Sequence, residues 1–336
     1  MSPRAPLSTL LSQALIAFTI ELDNEWERRM PHRTTDFGGD RGPWATSLRQ
    51  WSNLMAWVPP DGISVPELTR AARAEPHLHG MRRWGYLDLD LDGRSVRPKR
   101  GGLAAQKVWR PLPDEIEARW GARLGGGLVE RLRRALEPIA ASREAGLPDW
   151  ITSSYGGYAN EPIAGIEPDP ARRRPLSALF SIPLQAFALA FERDSAASLM
   201  YTANVLRPVG AGGAGGVPNA ELPRRSGVAA PALETALGIL SKRGFVERGQ
   251  GRNRVVRLTD LGSAALAAYE PGCAAVERRW DLPGEIRAAL EELLSPGTPL
   301  WPAIDPPRES WRSRLPRPEV LPHHPMPRQG GHPDGV

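Results

Sequence analysis

Residues 96–120, VRPKRGGLAAQKVWRPLPDEIEARW, align without a gap over residues 256–280, VRLTDLGSAALAAYEPGCAAVERRW. Nine of these 25 positions are identical, among them Gly102/Gly262, Pro111/Pro271 and Trp120/Trp280. Roughly one or two matches would arise by chance. The likeness continues on both sides. RRWGYL (82–87) stands over SKRGFV (241–246), IAFTIELD (16–23) over FALAFERD (187–194), and GGLVERLRRAL (126–136) over GEIRAALEELL (284–294). A chain that repeats itself in this way folds as two similar units, so the reading reduces to what one unit can form.

Each unit reads as a helix, a helix-turn-helix, a hairpin and a long helix. Lys242–Gly262, KRGFVERGQGRNRVVRLTDLG, is a strand, a Gly/Asn-rich tip and a second strand. Amphipathic helices are predicted over about 8–30 and over Pro43–Trp57. SVPELTRAAR opens with Ser64 as N-cap and Glu67 three residues on, the pattern of a capping box. NAELPRRSG and AAPALETALGILSKRG form the helix pair of the second unit, and the first unit's EPHLHGMRR carries Pro76 within its helix. Gly85 and Gly244 suit the residue after a helix, where a positive φ costs glycine little. VGAGGAGGVP (209–218) reads as a flexible loop.

The expected fold is mostly α with small β-hairpin wings (α+β): two tandem winged helix-turn-helix domains. Residues 1–140 are the first, 141–175 a linker, 176–295 the second, and 296–336 a Pro-rich tail. From Ser295 on, 11 of 42 residues are proline, which predicts a disordered tail. The first and last helices of the two copies are expected to pack together as a pseudo-dimer within one chain, with Trp120 and Trp280 on the shared core. A homodimer of chains is the alternative.

Several function classes drop out early. Cys273 is the only cysteine, so neither an internal disulfide nor a Cys-based metal cluster can form. No apolar run reaches the roughly 18 residues of a membrane span, and the expectation is a cytoplasmic protein without a membrane partner. No G-x-S-x-G, Walker A, H-E-x-x-H or dinucleotide fingerprint is present, so no enzyme chemistry and no cofactor are assigned. A net charge of +5 suits a polyanion, and the hairpin makes the suggestion specific. Arg248, Arg252, Arg254 and Arg257 crowd its tip and second strand, with no acid between Glu247 and Asp260. An arginine-rich hairpin beside a groove-sized helix suits double-stranded DNA. The residues assigned to DNA are Arg224, Arg225, Thr235, Lys242, Arg248, Arg252, Asn253 and Arg254, with Arg94 and Arg97 in the first copy. There the strand LDLDLDG sets Asp88, Asp90 and Asp92 against phosphate, so weaker DNA binding, or a packing or sensing role, is expected.

GFVERGQGRNRVVRLTDLGSAAL resembles the wing of MarR-type regulators, and the chain as a whole resembles a tandem, duplicated MarR-like regulator of actinobacterial style over roughly residues 8–295. The resemblance implies transcription regulation on a pseudo-palindromic operator. It places Arg252 and Arg254 at the DNA-contacting tip and makes Ala229–Lys242 the recognition helix, with Ala230, Glu234 and Thr235 exposed. It also implies a small-molecule effector, for which Trp44, Trp51 and Trp57 could line a pocket. Two other classes stay open: a tandem winged-helix DNA-repair glycosylase, whose Gln-aromatic-Gln signature is missing here, and a protein-interaction or effector-binding scaffold. Bland readings attach to the remaining features. Glu21, Asp23, Glu25 and Glu27 near His32 read as a solvated acidic face, with a contact to the other copy or an effector pocket as the alternative. His77 and His79 diverge on a helix and are expected at the surface or facing DNA. Cys273 reads as a buried residue of the long helix.

Overall fold

The computed structural model describes residues 4–29, 47–125, 127–169, 171–250, 254–280, 284–298, 300 and 320–326. Its first half runs α1 (Leu7–Arg29), α2 (Leu48–Asn53), a 3-10 turn (Met55–Trp57), β1 (Ile63–Ser64), α3 (Val65–Ala72), α4 (Leu78–Arg83), β2 (Leu87–Leu89), β3 (Ser95–Pro98), α5 (Arg100–Trp109), α6 (Leu112–Leu124) and α7 (Leu128–Arg143). The second half repeats this order: α8 (Leu176–Glu192), then α9 (Leu199–Tyr201), a π-helical turn (Thr202–Leu206) and α10 (Arg207–Gly210), then β4 (Val217–Pro218), α11 (Leu222–Ser226), α12 (Ala230–Lys242), β5 (Val246–Arg248), β6 (Val255–Leu258), α13 (Asp260–Ala267), α14 (Tyr269–Trp280) and α15 (Gly284–Leu293). The chain is mostly helical, with two three-stranded antiparallel sheets ordered β1-β3-β2 and β4-β6-β5. Register is repeated too: Asp88 stands opposite Arg97 as Glu247 stands opposite Arg257.

Local chemistry accounts for the matching turns. The Ser64 hydroxyl accepts the Glu67 N–H and the Glu67 carboxylate accepts from Ser64, completing the capping box at the start of α3. Gly85 and Gly244 both sit at φ +77°, where a side chain would be strained. The identity of Gly102 and Gly262 has one cause: a Cβ there would collide with the carbonyl oxygen of Tyr86 or Phe245 in the preceding strand–helix crossing. Two expectations change. Pro76 lies before α4 instead of within it, because the helix starts only at Leu78. The glycine run 209–218 is a 3-10 turn (Gly213–Gly215) leading into β4, pinned by pairing of Val217 with Val256. Of the predicted helix Pro43–Trp57, only Leu48–Asn53 and the 3-10 turn form among the described residues; Pro43 and Trp44 lie outside them.

The terminal helices of the two halves pack on one another, as expected of a pseudo-dimer. α1 lies against α8, and α7 against both α8 and α15, so equivalent helices meet across the repeat. Trp120 is fully buried, 5.2 Å from Phe18 of its own half and 6.3 Å from Phe180 of the other. Trp280 packs edge-on to Phe187 at 5.5 Å, with the Arg143 guanidinium 4.4 Å over its face. α1 is not amphipathic, contrary to expectation: it is buried nearly all round, because α6, α8, α14 and α15 enclose it. The core also does not divide at the linker. One cluster joins the terminal helices of both halves to the first helix pair; a smaller one lies under α11, α12 and the second sheet.

Two segments outside the repeat brace this arrangement. Between α7 and α8, the buried Arg174 donates to Glu144 (2.6 Å), to Glu137 (2.5 Å) and to the carbonyl of Asp169 (2.8 Å). Glu144 also accepts the Asp169 N–H at 2.7 Å and lies 3.5 Å from Arg73, the one described non-glycine residue with positive φ. Burial alone would raise the Glu144 carboxyl; the bonds from Arg174 and Asp169 hold it below its ordinary range. The second brace comes from the tail expected to be disordered. Its residues 320–326 pack into the body, with Leu321, His324 and Met326 buried. Glu144→Gln should cost about 3 kcal/mol in chemical denaturation, since it removes the fully buried one of the two carboxylates that Arg174 pairs with; a loss under about 1 kcal/mol would show that the cluster does not brace the linker.

Candidate nucleic-acid interface

In the second half, α12 starts at Ala230 with Ala229 as its N-cap, and Leu233, Ala236, Leu237 and Leu240 bury one face. The opposite face leaves Ala230, Glu234, Thr235, Ser241 and Lys242 exposed beside the β5–β6 hairpin. The hairpin meets the helix through an ion pair: Arg248 donates to Glu234 at 2.6 Å, and Asn219 donates to the same carboxylate at 2.5 Å. Those two hydrogen bonds hold the Glu234 carboxyl below the ordinary range, against a small opposing effect of burial. Arg248 is thus already engaged. Arg225 is paired with Glu221 at 2.6 Å, and the Thr235 hydroxyl donates back to the Pro231 carbonyl at 3.1 Å. Arg224, Lys242 and Arg254 are exposed, and Arg257 of β6 donates to the Ala214 carbonyl at 3.3 Å. Arg252 and Asn253 lie outside the described residues.

The first half presents a different surface on the same backbone. Asp90 closes its hairpin, accepting from the backbone N–H of Arg94 (2.7 Å) and the hydroxyl of Ser95 (2.9 Å). Leu91 at the tip is completely exposed, and Arg94 and Arg97 are exposed beside it. Asp88 faces Lys99 at 3.7 Å. Where α4 meets this hairpin, Pro76, His77, Leu78, His79, Gly80, Leu89 and Gly93 line an open cavity of about 400 Å³. Burial and the nearby Arg49 hold the His77 imidazole below its ordinary range.

Other sequence-predicted features resolve differently. The acidic row of α1 is not a solvated face: Glu21 accepts from Trp120 Nε1 (2.8 Å) and Arg123 (2.7 Å), Glu25 pairs with Arg28, Arg29 and Arg119, and Asp23 accepts the Leu48 N–H at 2.8 Å. It holds α1 to α6 and to the start of α2; the Glu27 side chain and His32 lie outside the described residues. Among the described residues no cluster of three or more His, Cys, Asp or Glu could hold a metal ion. Trp51 is buried against Trp109 (5.6 Å), while Trp57 lies beneath the Arg172 guanidinium (5.4 Å), so these two do not line a shared pocket. Cys273 is buried, and burial pushes its thiol up to about 12. No helix among the described residues is long and apolar enough to cross a membrane.

One neighbour of α12 was not foreseen. The linker turns back at Ser153–Ala159 and lays Tyr158 under the exposed Arg243 at 5.5 Å, leaving Tyr155 projecting into solvent. Its anchor is Glu192, which accepts the N–H groups of Ala159 (2.7 Å) and Leu199 (3.0 Å). No local sequence signal marks these long-range pairings. Compared with known proteins, the chain matches no family model, no curated protein and no solved structure.

Burial pushes the Glu192 carboxyl up to about 7, the two backbone N–H bonds opposing it. A carboxyl that holds its proton more tightly folded than unfolded stabilises the fold below its unfolded pKa and loses that contribution as pH rises through the folded one. In thermal melts from pH 4 to 8, the stability of wild type relative to Glu192→Gln should therefore fall as pH rises from about 4.5 through about 7; a constant difference would refute the assignment.

Proposed function

We propose that this chain is a DNA-binding transcriptional regulator of the MarR-like kind, acting in the cytoplasm, in which two tandem winged helix-turn-helix modules form a pseudo-dimer within one polypeptide. The observation that carries the reading is the exposed face of α12 beside a hairpin on which Arg254 and Arg257 are exposed along with one acid, Glu247. An α-helix of this kind enters the major groove, while a flanking hairpin meets the neighbouring backbone. Arg224, Lys242, Arg243 and Arg254 are the exposed cations around it. They contact phosphate, which positions the protein without reading sequence.

Base reading in this proposal is modest. The exposed α12 positions offer Ala230, the back-bonded Thr235 and Glu234, whose carboxylate is already occupied by Arg248 and Asn219. The first half contributes less to affinity, because Asp88, Asp90 and Asp92 oppose phosphate there, while the second hairpin has no acid between Glu247 and Asp260.

Fluorescence anisotropy with labelled duplex DNA across a salt series tests this. Affinity should fall steeply with salt, and Lys242→Ala with Arg254→Ala should flatten the log–log slope by about 2, near 0.9 per phosphate contact. Arg94→Ala with Arg97→Ala should change it by less than 1. Glu234→Ala removes an acid from the interface and frees Arg248, so it should tighten binding several-fold at low salt. Absence of duplex binding in dilute buffer would rule the reading out and leave the protein-docking scaffold; release of a free base would indicate the glycosylase.

A further inference from the structure

The segment 320–326 touches both halves of the molecule. On one side it meets α1 of the first half: Ser12 donates to the Pro322 carbonyl (3.1 Å), Gln13 to the Leu321 carbonyl (3.1 Å), and Thr9 lies 3.2 Å from the His323 ring. On the other it meets the second half at Asn204, which is fully buried in the π-helical turn. Asn204 Nδ2 donates to the His324 carbonyl at 2.7 Å, and its Oδ1 accepts the N–H groups of His323 (2.9 Å) and His324 (3.2 Å). The carboxamide thereby pairs with the segment much as another backbone would.

The apolar residues divide in the same way. Leu321 belongs to the core shared by the terminal helices, and Met326 to the separate core beneath α11 and α12. The turn between α11 and α12 completes the seat. At Gly227 a Cβ would collide with the Val320 carbonyl, so a larger residue there would push the segment away. A buried amide with nothing to bond costs roughly 1–3 kcal/mol. Asn204, set among Val205, Leu206 and Leu222, thus makes sense in this core with the segment in place. One-residue π insertions commonly mark functional positions in helices, and this one holds the anchoring residue.

We propose that residues 320–326 are an intramolecular strap that seats the α11–α12 helix pair on the central helices, with Asn204 as its anchor. The strap fixes the angle at which α12 is presented relative to α1 and α8. The two imidazoles enter uncharged: burial pushes His323 down to about 3, with Arg207 adding to the effect, and His324 down to about 4. Besides the strap, the smaller core is joined to the central helices through α13 and α14 and through the Tyr158–Arg243 contact.

Hydrogen exchange read by mass spectrometry on the full-length chain tests the strap without DNA, so its failure is distinct from failure of the proposed function. Two variants are compared with wild type: Asn204→Ala, which alters the receiving side, and the double change Leu321→Ser with Met326→Ser, which alters only the strap. Both should raise amide exchange across residues 202–242 by tenfold or more while α7 and α15 keep wild-type protection. Wild-type exchange over 202–242 in either variant would overturn the proposal, and so would a loss of protection spread evenly through α7, α8 and α15.

Discussion

The first helix of each half is buried nearly all round, and the fold rests on the two halves burying these helices in each other. Thirteen of the 17 residues of α8 are buried, on every side of the helix. α1 is enclosed to the same degree. A helix apolar all round belongs inside a protein, and a single half has nothing to put on both of its sides. Full burial of a Leu or Phe side chain is worth about 1.5–3 kcal/mol, so the α1–α8 contact outweighs any one polar pairing in the chain. One hydroxyl it draws inward, that of Thr19, finds partners in the same place. Thr19 donates to the Leu15 carbonyl at 2.7 Å and lies 3.3 Å from Trp150 Nε1. The two halves form one cooperative body at these helices, and only the second helix pair with its sheet keeps a core of its own.

Within that body the copies have diverged most at their carboxylates. Glu21 and Glu192 occupy equivalent positions in IAFTIELD and FALAFERD. Glu21 meets Arg123 and Trp120, a charge partner and a donor on α6. The position equivalent to Arg123 in the second copy is Pro283. Glu192 has only backbone N–H groups, and its carboxyl is pushed up where a guanidinium would have held it down. The Glu192 carboxylate accepts from the linker turn and the start of α9 instead. The linker turn held by Glu192 also sets Tyr158 against Arg243 beside α12.

What the sequence disclosed was local, and what it hid was tertiary. The capping box at Ser64, the positive-φ glycines and the hairpin around Val255 depend on residues a few positions apart, and each forms as read. The repeat extended this reach: the aligned Trp120 and Trp280 both pack on the shared helices, although Trp120 is fully buried and Trp280 only partly. The acids of α1 looked solvated because a run of Glu and Asp is usually so. Arg28 and Arg29 pair with Glu25 from within α1, but the arginines of α6 that meet Glu25 and Glu21 lie about a hundred positions away, beyond any window of periodicity. Pro-rich composition argued for a disordered tail, and composition is blind to one asparagine in a distant helix that accepts and donates to two consecutive peptide units. In the candidate interface, the exposed face of α12 was legible and the Glu234–Arg248 pair was not, for the same reason of distance.

The two hairpins separate fold from surface. Their strands pair in the same register, an acid facing an arginine at the same rung, so neither the sheet nor its packing requires a particular tip. In the first copy the tip is closed by Asp90, whose carboxylate gathers the Arg94 N–H and the Ser95 hydroxyl. An acid there is therefore a structural part of the turn, and the neighbouring Asp88 and Asp92 add to a field that repels phosphate. The second tip places no acid between Glu247 and Asp260. The two tips thus differ in charge: Asp88, Asp90 and Asp92 offset the cations of the first, and no acid offsets those of the second between Glu247 and Asp260. Both tips belong to one chain, so this asymmetry is built into each molecule.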